Sequence, residues 1–129
     1  MHKGFLSAGI VSAGLSVILG AFAAHGIKSK VTADVLAIFE TGVRYQMYHA
    51  FALLFTAIMF QYFDSKQVLW AGYLFIIGIV LFSGSLYLLT YFKGVGNNAF
   101  NWLGAITPFG GTAFIAGWVL LLVAVITKK

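Results

Sequence analysis

The sequence predicts an all-α integral membrane protein: a four-helix bundle of up-down-up-down order, with an amphipathic N-terminal extension on the second helix. Three observations lead there. Hydrophobic residues make up 61% of the 129 and charged residues only 9%, against about 25% charge in an ordinary soluble domain. Apolar runs of the roughly 20 residues that cross a hydrocarbon core occur four times, near residues 4–24, 43–62, 68–91 and 102–127. The segments between them are short and polar or glycine-rich, and no repeat or composition shift marks a second domain, so residues 1–129 are read as one transmembrane unit.

The first run, Gly4 to Ala24, resembles a signal peptide, with Lys3 before it and Ala21-Phe22-Ala23 near its end. It exceeds the usual apolar region of such a peptide, so a retained span is expected. Its row Ala8, Ser12, Ser16, Gly20, Ala24 is small at every fourth position, with Gly9 and Ala13 alongside. Membrane helices associate by close packing, so that row marks a face pressed on another helix. Gly26 suits a left-handed cap after His25. His2 is read as solvated.

After a loop with Lys28 and Lys30, Thr32 is placed to cap a helix from Ala33, with Asp34 favourable in its first turn. The helical pattern continues to about Phe63, longer than a hydrocarbon core requires. Ala33 to Gly42 is therefore read as interfacial, with Gly42 allowing a bend into the span proper. Asp64-Ser65-Lys66 is a tight connection to the third span, which contains F-S-G-S-L-Y at Phe82 to Tyr87. Residues 93–101 carry glycine and asparagine turn chemistry. Pro108 in the fourth run implies either a kink or a later true start, with Leu103 to Thr107 as a lead-in.

Chemistry concentrates in Phe39 to His49, F-E-T-G-V-R-Y-Q-M-Y-H. The chain has three acidic residues and one arginine, and one of each stands here. Glu40, Arg44 and Tyr48 form one i, i+4 row, and Thr41, Tyr45 and His49 form the next. In the expected topology His25, Ser83, Ser85 and Thr107 fall toward the same side of the bilayer. The candidate ligand-binding set is therefore Arg44, His49, Glu40, Tyr45, Tyr48, His25, Ser83, Ser85 and Thr107. One reading makes it a half-membrane pocket for a lipid headgroup or small anion, with the Arg44 guanidinium as the suited group. A second makes it a polar clasp that only sets helix packing, in which Glu40 pairs with Arg44. A third, a proton or ion pathway, needs a polar track into the other leaflet, where the span residues offer only Thr56, Gln61 and small side chains.

Several classes are excluded or unsupported. Zero cysteines rule out disulfides and thiolate chemistry. No Ser-His-acid set, carboxylate pair, zinc helix or phosphate loop is present, so no enzyme, metal or cofactor is expected, and the histidines lack ligand spacing. The net charge of +5 is dispersed, which suits a membrane surface rather than nucleic acid. The expected partners are membrane lipids and other copies of the chain through small-residue faces. Lys3, Lys66, Lys128 and Lys129 against Lys28, Lys30 and Lys93 give a slight bias toward cytoplasmic termini.

Four motifs together, G-A-F-A-A-H-G (Gly20 to Gly26), F-E-T-G-V-R-Y-Q-M-Y-H-A (Phe39 to Ala50), F-S-G-S-L-Y-L-L (Phe82 to Leu89) and L-G-A-I-T-P-F-G-G (Leu103 to Gly111), resemble the YgdD-like family. These are small four-span bacterial inner-membrane proteins of unknown function, with vertebrate relatives. The resemblance implies the fold and an inner-membrane location, and no activity, cofactor or catalytic residue.

Overall fold

The computed structural model describes residues 1–128 and is all-helical. Four long helical segments are formed. α1 (Lys3–Phe22) ends in a π turn, Ala23–Ile27; α2 runs unbroken over Ala33–Tyr62; α3 (Lys66–Gly78) passes through a second π turn, Ile79–Ser83, into α4 (Gly84–Gly94); and a 3-10 segment, Asn98–Ala105, leads into α5 (Thr107–Thr127). Three of these stretches, Lys3–Ile27, Lys66–Gly94 and Asn98–Thr127, are long and apolar enough to cross a membrane. The expected fourth, on α2, is not among them. Its middle carries Arg44, Tyr45, Gln46, Tyr48 and His49, which offset the apolar run that follows.

Local signals account for most helix ends. The Thr32 hydroxyl accepts from the Val35 amide at 3.4 Å and Ser65 does the same for Val68, each covering an amide that the first turn leaves unpaired. Pro108 stands in the first turn of α5, where its missing N–H costs nothing, so of the two alternatives the later start is the one adopted. Two local expectations are corrected. His2 caps α1 rather than facing solvent: its Nδ1 accepts from the Phe5 amide at 3.1 Å, and its ring stacks 3.8 Å from that of Phe5. Gly26 is not a left-handed cap, since among the described residues only Gly96 has a positive φ. The π turn carries the chain onward instead, and a side chain at Gly26 would strike the Phe22 ring. Gly42 lies inside the unbroken α2, where it makes room for Tyr87, whose ring would lie 2.8 Å from an added Cβ.

Packing is built from aromatic rings over glycines. On α1, Phe5, Gly9 and Ser16 are buried, with Ala8, Ser12 and Gly20 half-buried and Ala24 exposed, so the small row faces inward as far as Gly20. Leu54 and the Ala50 carbonyl of α2 lie against Gly9. Phe5 covers Gly72 of α3. Between the third and fourth segments the exchange is reciprocal: Phe75 lies over Gly117, Phe114 over Gly78, and Gly110 against Phe82. Close backbone approach of this kind supplies the dispersion contacts that hold helices together where lipid removes the hydrophobic drive. The buried apolar core, with Phe5, Leu53, Ala57, Val68, Ala71, Phe75 and Phe114, is built by α1, α2, α3 and α5. At its end the Lys128 ammonium reaches the Tyr62 carbonyl and stands 4.5 Å over the Phe63 ring. Lys129, part of the charge bias, is outside the described residues.

Candidate functional site

A band of cross-helix hydrogen bonds lies on and beside the inner face of α2. Gln46 is its hub. Its Nε2 donates to the Ser12 carbonyl of α1 at 3.0 Å, and its Oε1 accepts from the Tyr87 hydroxyl of α4 at 2.6 Å. One turn earlier the Gly42 carbonyl accepts from the Ser83 hydroxyl at 2.6 Å. The π turn that ends at Ser83 adds a residue to its helical turn, and Ser85, just beyond it, lies 2.7 Å from the Thr107 hydroxyl. Among the described residues, no buried side-chain nitrogen or oxygen lacks a hydrogen-bond partner. A polar band sealed in this way avoids the penalty of unpaired groups in an apolar interior.

His49 closes the band toward α5. Its Nδ1 lies 2.8 Å from the Tyr45 carbonyl and its Nε2 lies 3.2 Å from the indole nitrogen of Trp118. A carbonyl can only accept and an indole N–H can only donate. Both contacts are therefore satisfied by the neutral imidazole with its proton on Nδ1. The ring is stacked on Phe114, centroids 3.4 Å apart and planes within 6°.

The structure divides the nine residues singled out from the sequence. His49, Ser83, Ser85 and Thr107 face the interior and are bonded there. Glu40, Arg44 and Tyr48 stand exposed on the outer face of α2, and His25 is exposed on the π turn after α1. Tyr45 is 37% exposed, with its ring 4.7 Å from Phe82. Arg44 takes part in none of the interior bonds, so the arginine and the serines of the third segment do not share a site. Among the described residues no three of His, Asp and Glu come together as a metal site. The residues that sequence reasoning passed over are Gln46, Tyr87 and Trp118. Gln46 had a signal: it falls four after Gly42 and three before His49, on the same inward stripe.

A cleft lies beside this band. It has a volume of about 440 Å³ and its walls include Phe22, Ile27, Phe39, Tyr87 and Tyr91, with Lys30 as its charged residue. It opens where the first loop, the start of α2 and the end of α4 diverge. Tyr87 belongs to both features, its ring in the cleft wall and its hydroxyl on Gln46.

Comparison with known proteins adds a family. Residues 19–111 match the family described as "Protein of unknown function (DUF423)". The chain belongs to the DUF423 family. Its similar relatives carry the name UPF0382 membrane protein. YwdK of Bacillus subtilis (strain 168) is 43% identical over 125 residues, covering 96% of this chain and 97% of its own. SAB0533 of Staphylococcus aureus (strain bovine RF122 / ET3-1) is 41% identical over 122 residues, covering 95% and 94%. SH2409 of Staphylococcus haemolyticus (strain JCSC1435) is 40% identical with the same coverage. No solved structure matches. Three membrane-length apolar helices and relatives named membrane proteins make this DUF423 chain a membrane protein.

Proposed function

We propose that this DUF423 chain is a non-enzymatic, four-span protein of the cell inner membrane that holds one acyl chain of an anionic lipid in the cleft beside Tyr87. The cleft carries the reading. Its volume of about 440 Å³ falls within the range of small-molecule pockets, its walls are apolar, and Lys30 stands where an anionic headgroup would lie. His25 is on the turn whose Gly26 and Ile27 line it, which keeps part of the sequence-derived ligand set near the ligand. The four-span, up-down-up-down arrangement with cytoplasmic termini is the topology this reading adopts. It is supported by the position of α2 among α1, α3 and α4 and by the motifs that resemble the YgdD-like family.

A second reading has its own observation. The closed band around Gln46 favours a purely structural role for the interior polar groups, and a packing role for that band is compatible with a lipid in the neighbouring cleft. For a proton pathway the other leaflet offers on α2 only Thr56, bonded to the Ala52 carbonyl of its own helix, and Gln61, which is exposed.

Native mass spectrometry of the protein released from micelles containing phosphatidylglycerol or phosphatidylcholine tests the reading. Retention of phosphatidylglycerol in preference is expected. A surface lysine contributes about 1 kcal/mol toward an anionic headgroup, so Lys30→Gln should weaken that preference about fivefold. Equal retention of the two lipids, unchanged by Lys30→Gln, would reduce the protein to the structural reading.

A further inference from the structure

The outer face of α2 carries an unpartnered stripe. Glu40, Arg44, Tyr48, Phe51, Phe55 and Ile58 follow one another at spacings of four, four, three, four and three residues, the rhythm of a helix seam. All six are exposed, Tyr48 at 53%, Phe51 at 59% and Phe55 at 53%. The opposite side of the same helix is enclosed by α1, α3 and α4.

Cross-helix contacts set the height of the charged end. Arg44 lies between Gly42, whose carbonyl takes the Ser83 bond, and Gln46, which bonds the Ser12 carbonyl. Ser12 follows Lys3 by nine residues and Ser83 precedes Gly94 by eleven, within apolar stretches that begin and end at those residues. At 1.5 Å per residue the guanidinium is attached roughly 13 Å or more inside the ends of its neighbours. An ionised side chain at such depth is costly against acyl chains and is normally turned toward protein or water. Here it is turned outward.

We infer that a second copy of this chain covers the stripe, with Glu40 of each copy meeting Arg44 of the other. The occupant follows from the charges. A two-fold interface presents the same patch twice, so that residue i meets j and j meets i. An acid and a base one helical turn apart on one face satisfy that condition without any other group. A lipid phosphate would suit Arg44 but would meet Glu40 as a like charge. The aromatic and branched side chains from Tyr48 to Ile58 continue the seam, and the small-residue row of α1 is already occupied by α2. The inference rests on reading α2 as a membrane span.

The chain has no cysteine, so single-cysteine variants report cleanly. Tyr48→Cys, Phe51→Cys and Phe55→Cys, each in the full chain and in native membranes, should form disulfide-linked dimers on oxidation. Ile115→Cys, on the exposed face of α5, should not. In the Phe55→Cys background, Arg44→Glu or Glu40→Arg should lower dimer yield at least tenfold, and the double swap Glu40→Arg with Arg44→Glu should restore it. Absence of cross-linking at the α2 positions, a cross-link to a different protein, or a double swap that fails to restore the dimer overturns the inference. A membrane-impermeant maleimide on the same variants separates the two ideas. Ready labelling along the stripe refutes the span itself, whereas protection without cross-linking refutes only the dimer.

Discussion

Substituting Gly110 by alanine isolates the packing logic of the third and fourth segments. An added Cβ would stand 2.7 Å from the Phe82 Cβ and 2.8 Å from its Cα, about 1 Å short of ordinary carbon contact. The obstacle is backbone, so no rotamer change relieves it, and α5 must move away from the π turn. Overpacking of this kind costs about 1–3 kcal/mol, and the movement also loosens Phe114 over Gly78. Alanine recovers up to about 1 kcal/mol of helix propensity, which leaves Gly110→Ala destabilised by roughly 1–2 kcal/mol. Gly84→Ala is the matched control, because nothing lies within 4 Å of an added Cβ there. That variant should be neutral or up to about 1 kcal/mol more stable. Unfolding in mixed detergent micelles, followed by tryptophan fluorescence, reads both. If Gly110→Ala matches the parent, or the two variants shift together, ring-over-glycine packing is not what joins these helices.

Two further predictions concern the polar band. Tyr87→Phe removes the donor to the Gln46 Oε1 and should cost about 1 kcal/mol. Gln46→Leu with Tyr87→Phe should cost less than the sum of the single changes, since no group of the pair is then left unpaired; strict additivity in the same unfolding assay would count against the bond. His49→Ala should be more destabilising than His49→Phe by about 2 kcal/mol or more, because phenylalanine keeps a ring against Phe114 and alanine leaves a void. Equal losses would mean that the hydrogen bonds of His49, rather than its shape, carry its contribution.

The helices themselves were legible because composition and local end signals act over short stretches. Thr32 caps where its neighbours require it, Pro108 stands in the first turn of α5 as one of its two sequence alternatives had it, and the small row of α1 turns inward as far as Gly20. The π turns at Ala23–Ile27 and Ile79–Ser83 were not legible. A widened turn adds one residue without a distinctive side chain to announce it. The site divided along the same line. Periodicity put Glu40, Arg44 and Tyr48 in one row and His49 in another, but not which row would face inward.

An apolar, cysteine-free chain of this length could only become packed membrane-length helices, and that much was set by residue chemistry acting locally. The direction in which α2 turns its polar side chains was decided by the tertiary structure alone. Rotation of a helix about its axis depends on which neighbours offer a carbonyl, a hydroxyl or a ring at the right height. Ser12, Tyr87 and Trp118 offered those to Gln46 and His49, and Arg44 was left on the outside.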